Sequence, residues 1–176
     1  MPESMMQPDL QDLAAVQGVR ASALARWQER GWPGPKAEAW RFTRLASLDK
    51  LSLRPADASL SAGMQDIAAA GMPAAAHVIR FHHGLLVDAS LQGAPDGLTL
   101  RRLDEAGLAQ MLDLLPADHP VTDLSMAAMT SGLLVDVAAG AKVTTPIILM
   151  FTGNSEAVST HPVVLLRVGA AAHAVI

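Results

Sequence analysis

Apolar residues near the start of the chain recur at the spacing of an amphipathic helix. Residues 8–30 place the following positions close to one helical face: Leu10, Leu13, Val16, Leu24 and Trp27. Asp9 can cap the start of this predicted helix, because its carboxylate accepts hydrogen bonds from the first free amides. Gly31 can end it with a left-handed backbone, and Pro33 prevents its continuation. A second, shorter helix is predicted over residues 36–45.

The apolar period changes at His77, after a connector over residues 49–64 that has little pattern. The segment "HVIRFHHGLLVD" alternates around His83 and Gly84, which predicts two strands joined by a tight turn. Residues 95–97 predict another turn, because Pro, Asp and Gly follow one another there, and residues 98–100 predict a short strand.

Two further short helices are predicted in the middle of the chain. Asp104 caps the first, which stops before Pro116 and has this apolar stripe: Leu108, Met111, Leu112 and Leu115. The second is predicted over residues 123–130, with Thr122 as its cap and Gly132 as its stop.

The last part of the chain contains four short apolar segments, "GLLVDV", "TPIILMF", "HPVVLLRV" and "AHAVI". Consecutive apolar residues are typical of strands that are covered on both faces. The connections are too short for a crossover helix, so antiparallel hairpins or short coils of a parallel β-helix remain. The sequence stops at Val175-Ile176 without a polar cap, and we therefore expect a fragment cut within or just after a strand.

Composition excludes several classes of protein. Of 176 residues, 51% are hydrophobic and 17% are charged, which excludes general disorder. A net charge of -4 gives no electrostatic footprint for nucleic acid or for an anionic membrane. The chain has no cysteine, so it cannot form a disulfide or a thiolate-ligated cluster by itself. No signal peptide or apolar span is visible, and we expect a cytoplasmic protein.

Candidate chemistry is sparse. His82 and His83 are adjacent on a predicted strand, so we expect their side chains on opposite faces, where they cannot hold one metal ion together. The other four histidines are scattered, without a metal-ligand spacing. Neither a nucleophile elbow nor a phosphate-binding loop is present. We therefore predict no catalytic, cofactor-binding or metal-ligating residue, and no enzymatic activity.

The stretch "GWPGPKAEAWRFTRL" is the densest in unusual residues. A structural interpretation explains most of it: Gly31 supplies backbone freedom, Pro33 supplies stiffness, and Trp40 docks the short predicted helix on the longer one. Lys36 and Glu38 are two residues apart and do not face each other on a helix.

The same stretch resembles a motif of the SufD family, which belongs to the SufBCD complex of iron–sulfur cluster assembly. The motif residues present are Gly31, Pro33, Lys36, Glu38, Trp40, Arg41, Thr43 and Leu45, preceded by Arg20, Ala23 and Trp27 in the helix before them. Three further segments resemble family motifs in the same order: "FHHG", "DLSMAAMTSGLLVDV" and "THPVVLLRVGAAAHAVI". The departures are Phe42 for Tyr, His83 for Asn, Ser125 for Asn, and Val163 or Val164 for Arg.

The resemblance implies an α+β, mainly β fold. An N-terminal helical region with a connector would occupy residues 1–75, and the first coils of a right-handed parallel β-helix would occupy residues 76–176, interrupted by two short helices. The implied function is a non-catalytic scaffold that acts with a SufB-like paralogue and a SufC-like ATPase. Lys36, Glu38 and Arg41 would make polar contacts with the complex. An iron–sulfur cluster, and any flavin, would belong to the whole complex, with no cofactor in this chain.

Two alternatives from other classes stay open. The first is a β-helix enzyme, such as an acyltransferase or a polysaccharide-active protein. That class should show hexapeptide periodicity or clustered carboxylates, and the sequence shows neither. The second is a self-associating structural β-solenoid module, because uncapped β-helix edges would allow two copies of a fragment to form a homodimer.

Overall fold

The computed structural model describes residues 16–34, 36–43, 45, 54–56, 60, 75–91, 93, 95–115, 119–154 and 157–176. Within these residues the chain is a mixed α/β structure with three α-helices and small sheets, and no closed barrel. The helices are α1 (Gln17–Arg30), α2 (Glu105–Leu114) and α3 (Pro120–Ala127). The strands are β1 (Arg54–Pro55), β2 (His77–His82), β3 (Leu85–Ser90), β4 (Leu98–Arg102), β5 (Ser131–Val137), β6 (Lys142–Val143), β7 (Ile147–Thr152), β8 (Val158–Ser159), β9 (Pro162–Val168) and β10 (His173–Ala174).

The first helix ends as the sequence predicts, but the second predicted helix does not form. Gly31 follows α1 with φ 61° and ψ -157°, and its N–H donates to the carbonyl of Trp27. The predicted start of this helix, with its cap Asp9, lies outside the described residues. The helix expected over residues 36–45 is wrong: only a 3-10 turn forms at Glu38–Trp40. Its hydrogen bonds span three residues rather than four, and an extended Ala37 (φ -71°, ψ 109°) precedes it.

The two central helices form with partly different caps. Asp104 accepts a hydrogen bond of 2.8 Å from the amide of Gly107, which confirms the predicted cap of α2. Helix α3 begins earlier than predicted, because Pro120 occupies its first turn and His119 takes the cap position. The predicted stop at Gly132 is wrong, since Gly132 lies inside β5. A Cβ there would come within 3.0 Å of Leu103 Cβ.

Two three-stranded mixed sheets dominate the structure. In the first, β2 and β3 form the predicted hairpin through His83 and Gly84, and β7 adds in parallel to β2. Both turn residues have positive φ, 50° for His83 and 75° for Gly84. In the second sheet, β5 lies between antiparallel β4 and parallel β9. Two short parallel pairs, β1 with β8 and β6 with β10, complete the pairing that the structure describes.

The parallel pairs in the last part of the chain share one register. Asp136 faces Arg167 at a sequence separation of 31 residues, and the same separation holds throughout the β5–β9 pair, from Ser131 with Pro162 onward. It continues into the next short pair, where Lys142 faces His173. Residues 162–174 therefore follow the same path as residues 131–143, displaced by the distance between two paired strands.

Strand β5 is covered on both faces, which explains its weak alternation. Leu133 and Val135 point into a cluster formed by the strands, together with Ile79, Phe81 and Ile147. Leu134 points the other way, into a cluster that is built with the three helices: Val16, Ala23, Leu103, Leu108, Met126, Met129 and Val163. Alternate side chains of this one strand therefore pack into two different hydrophobic clusters. No helix in the described part of the chain has both the length and the apolar character needed to cross a membrane.

Candidate functional site

The motif residues singled out from the sequence lie together in one segment after α1, residues 31–43, which we call the corner segment. Its first part is a sharp exit from the helix. Nothing lies within 4 Å of a Cβ built on Gly31, so its backbone conformation, rather than crowding, favours glycine there. Next to it, the rings of Trp27 and Trp32 meet edge to face with centroids 4.9 Å apart. Pro33 follows and is half-buried.

Trp40 contacts the start of α3, a contact that our sequence-based prediction of docking on α1 did not include. Its ring lies 5.1 Å from the ring of His119, the residue at the N-terminal cap of α3. His119 Nδ1 in turn lies 3.2 Å from Thr122 Oγ1. The tryptophan is half-buried, so it contributes a contact rather than a core anchor. The ring extends from a short 3-10 turn, Glu38–Trp40, in place of the predicted helix.

The charged residues of the corner segment face solvent. Glu38 and Arg41 form an ion pair, and their side chains are 79% and 55% exposed. The guanidinium of Arg41 also lies 4.5 Å from the centre of the Phe42 ring. Phe42 is 86% exposed. Lys36 and Thr43 are exposed as well. A cation stacked on an aromatic ring therefore lies uncovered on this surface.

The buried carboxylate of Asp123 joins α3 to α1. Asp123 accepts a hydrogen bond of 2.7 Å from Arg26 Nε and a longer one, 3.4 Å, from Arg30 Nη1. Only 8% of the Asp123 side chain is exposed, so removal of its partners would leave a buried charge. Sequence reasoning missed this pairing, because Asp123 lies far along the chain from α1.

A second concentration of polar groups surrounds the β2–β3 hairpin, and we call it the histidine turn: residues His82, His83 and Gly84 with Thr130, Ser131 and Thr152. The Gly84 carbonyl accepts hydrogen bonds from Thr130 Oγ1 at 2.9 Å and from Ser131 Oγ at 2.7 Å. The amide of His161 donates to the same threonine oxygen. A Cβ on Gly84 would lie 2.7 Å from Thr130 Oγ1. This turn therefore joins the hairpin to the start of β5.

The two adjacent histidines touch each other, contrary to our expectation that they point to opposite faces. Their ring centroids are 4.5 Å apart at an interplanar angle of 73°. Strict alternation fails because β2 ends at His82 and His83 has a turn conformation with φ 50°. Both side chains are buried. The sequence signal that was available, a histidine directly before a turn glycine, pointed to the turn rather than to a strand position.

Hydrogen bonds determine which ring nitrogen of each neutral histidine carries the proton. The Thr152 hydroxyl donates to the Phe81 carbonyl at 3.1 Å, so its oxygen accepts the 2.9 Å hydrogen bond from His82 Nδ1. The amide of Asn154 donates to His83 Nε2 at 3.4 Å, which places the proton of neutral His83 on Nδ1. The pair is thus integrated into the contact between β2 and β7.

Burial disfavours the charged form of several of the described histidines. Desolvation lowers the pKa of His82 below its usual 6.5, and the neighbouring His83 lowers it further. Burial also lowers the pKa of His77 and of His161. In the residues that the structure describes, no group of three or more histidine or carboxylate side chains is arranged to hold a metal ion. The histidine turn is a buried, hydrogen-bonded junction between the hairpin and the start of β5.

A pocket of about 630 Å³ lies beside the short strand β6. It is bounded by the turn at residues 95–97 and by the loop before β6, with His77, Lys142, Thr144 and Thr145 among its lining residues. Most of the remaining lining residues are alanine and glycine, which offer a ligand few polar groups other than those of the backbone.

Comparison of the chain with protein-family models finds no match, and comparison with curated proteins finds none either. The functional inference therefore depends on the residues and on the geometry described above.

Proposed function

We propose that this chain is a SufD-like scaffold subunit of iron–sulfur cluster assembly, without catalytic activity of its own. It acts with a SufB-like paralogue and with a SufC-like ATPase, which supplies the energy of ATP hydrolysis. The cluster, and any flavin, belong to the assembled complex. The proposal combines the ordered motifs in the sequence with the architecture of the strands.

The shared register of the parallel strands is the observation that carries this proposal. A repeat of 31 residues over β5–β9 and β6–β10 is the spacing of one coil that returns above itself. Strands β7 and β2 form a further parallel pair on another side of the same cluster. We infer that residues 131–161 make one coil of a right-handed parallel β-helix, and that earlier strands close its lower end. Such a scaffold works by presenting faces and edges to partners.

The corner segment provides a second, independent line of support for the proposal. Trp40 connects its motif residues to His119 at the start of α3, and Asp123 of the same helix pairs with Arg26 of α1. In this proposal Lys36, Glu38 and Arg41 make polar contacts with another part of the assembly. Their exposure permits such contacts, and Phe42 beside Arg41 adds apolar area that a partner would bury.

The test is affinity capture of the tagged chain from its native host, followed by mass spectrometry at defined stoichiometry. The proposal predicts co-purification of an ABC-type ATPase and of a paralogous β-helix protein in fixed ratio. Recovery of the chain alone, or with neither of these two proteins, would contradict it.

A matched pair of variants tests the corner segment within the same experiment. The double variant Lys36→Glu/Arg41→Glu reverses two exposed charges and should reduce the recovered partners several-fold. Asp113→Lys reverses an exposed charge on α2, away from the strands, and should leave the recovery unchanged. Equal recovery of the partners with both variants would show that the corner segment is not part of the interface. The scaffold assignment would then be decided by the affinity capture alone.

A further inference from the structure

The pocket beside β6 has walls that backbone contacts hold together. The Ala138 amide donates to the Gly97 carbonyl at 2.7 Å, which attaches the turn that contains Gly97 to the loop before β6. A Cβ on Gly97 would lie 2.6 Å from Ala141 Cβ, so these two walls touch. The His77 amide donates to the Pro146 carbonyl at 2.8 Å and fixes the start of β2 beside the loop after β6. The fold therefore supplies a preformed concave site, which favours ligand binding.

Opposite charges line this pocket without pairing with each other. Among its described lining residues, Asp96 supplies a carboxylate and Lys142 supplies an ammonium group. Both residues are exposed, and neither forms an ion pair with any residue that the structure describes. Arg101 and Arg167, in contrast, share an aspartate on β5. Each charge of the pocket can therefore pair with an opposite charge on a ligand.

The uncharged polar residues of the pocket favour an anionic group beside β6. Thr144 and Thr145 come shortly after Lys142 in the chain and also line the pocket, and their hydroxyls can donate to a carboxylate that pairs with Lys142. His77 lines the pocket as well, and it is buried. Its pKa is lowered by desolvation, which disfavours a second cation in the lining.

The rest of the lining is small and mostly apolar. It consists of the alanines and the glycine of residues 138–141, together with Pro95, Gly97 and Val143. These short side chains leave a volume of about 630 Å³, which has room for a ligand longer than a single charged group. Methylene groups suit such a surface, because burial of apolar area is favourable there and requires no hydrogen-bond partner.

We propose that this pocket binds a small linear zwitterion, an ω-amino acid, whose ammonium group pairs with Asp96 and whose carboxylate pairs with Lys142. The methylene groups between these two ends lie on the alanine and glycine wall. An α-amino acid fits less well, because its two charges are adjacent, whereas Asp96 and Lys142 do not reach each other across the pocket. A simple anion would pair with Lys142 but would be repelled by Asp96. No residue of the corner segment lines the pocket, so this binding and the affinity capture are independent tests.

NMR titration of the full chain with γ-aminobutyrate and ε-aminocaproate tests the proposal, with glycine as the short zwitterion. Two blocked forms of the tighter ligand are the controls: the N-acetyl form lacks the ammonium charge, and the amide form lacks the carboxylate. The tighter ligand should bind in the millimolar range, about threefold or more tighter than glycine or either blocked form, since each exposed ion pair adds a modest amount. Amide shifts should concentrate on residues 95–97 and 138–145. Absence of binding, or equal binding of the blocked forms, would overturn the proposal.

Two variants assign each end of the ligand to one residue. Asp96→Asn keeps a residue that suits the turn, and it should abolish the preference for the free ammonium group while the preference for the free carboxylate remains. Lys142→Gln should do the reverse. Asp113→Asn, at an exposed site on α2, should change neither preference. Circular dichroism and the melting temperature establish that each variant is folded. Unchanged preferences in both pocket variants would overturn the proposal.

A simple anion is the competing occupant of the pocket, and titrations with acetate and inorganic phosphate address it directly. Weaker binding of these anions than of the ω-amino acid, strengthened by Asp96→Asn, supports the proposal, because this variant removes the repelling carboxylate. Binding of either anion as tight as that of the ω-amino acid, and lost in Lys142→Gln, would make the pocket an anion site and overturn the proposal.

Discussion

The corner segment and the histidine turn differ in whether their residues are neighbours along the chain or are brought together only by folding. The corner segment is dense in unusual residues along the chain, yet most of its polar groups face solvent and its tryptophan is only half-buried. The histidine turn draws on residues that are distant in sequence, from His82 to Thr152, and buries nearly all of them. A local concentration of notable residues here marks a surface. Buried polar residues that meet from distant parts of the chain constrain the fold more strongly, but they leave little recognisable pattern in the local sequence.

The largest expected contrast is between two phenylalanines. Phe81→Ala removes a fully buried ring that stacks on Phe151, and we expect a loss of about 3–5 kcal/mol in the free energy of unfolding. Phe42→Ala removes an 86% exposed ring of the corner segment and should change this free energy by no more than about 0.5 kcal/mol. Urea denaturation of both variants checks the pair. Similar losses would mean that the corner segment is not a surface.

Two glycines with positive φ give the next contrast. Ala at Gly31 has open space, so we expect only the backbone cost, about 1–3 kcal/mol. At Gly84 the added Cβ would also lie 2.7 Å from Thr130 Oγ1 and 2.9 Å from Thr160 Cβ, which adds about 1–3 kcal/mol of overpacking. Thermal unfolding of the two variants should therefore rank Gly84→Ala as the less stable. The reverse order would argue against the tight packing of the histidine turn.

Trp40→Ala should have a smaller effect than a core substitution. The ring is half-buried and makes its ring contact with His119, so we expect a loss of about 1–2 kcal/mol rather than the 3–5 kcal/mol that a buried tryptophan costs. Chemical denaturation measures this loss, and the NMR signals of His119 should shift in the same variant. A loss above about 3 kcal/mol would place Trp40 in the core.

Acid should lower the stability of the folded chain through its buried and half-buried histidines. The pKa values of His77, His82 and His161 are lowered by burial, so the unfolded chain binds protons that the folded chain does not. Stability should therefore be constant above about pH 7 and fall as the pH drops through 6.5 and below. Denaturant titrations from about pH 8 to about pH 5 measure this fall, and His82→Asn should reduce it. A stability that stays flat or rises on acidification would contradict the burial of these groups.

Much of the fold was accessible from the sequence, and the failures have local physical causes. The hairpin at His83-Gly84, the cap at Asp104 and the four late strands follow from turn chemistry, capping and runs of β-branched residues. The helix over residues 36–45 failed because an extended Ala37 and bonds spanning three residues gave a single tight turn instead. The cap at Thr122 failed because Pro120 begins α3 one turn earlier.

The candidate sites were less accessible, because their decisive contacts join distant residues. The alternation rule placed His82 and His83 apart, whereas the turn conformation of His83 brings the rings together. Nothing in the local pattern paired Asp123 with Arg26, or Thr152 with His82. Such contacts depend on strand register and helix packing, which a single sequence constrains only weakly.

Disulfide trapping tests the 31-residue register of the parallel strands most directly, because the chain has no native cysteine. Asp136→Cys/Arg167→Cys and Lys142→Cys/His173→Cys place thiols on neighbouring strands 31 residues apart, at a Cα separation of about 5 Å that suits a disulfide. Asp136→Cys/Leu166→Cys is the control, because its thiols point to opposite faces. Mild oxidation of the folded chain should close both in-register pairs and leave the control reduced. Equal oxidation of all three, or oxidation of the control alone, would contradict this register.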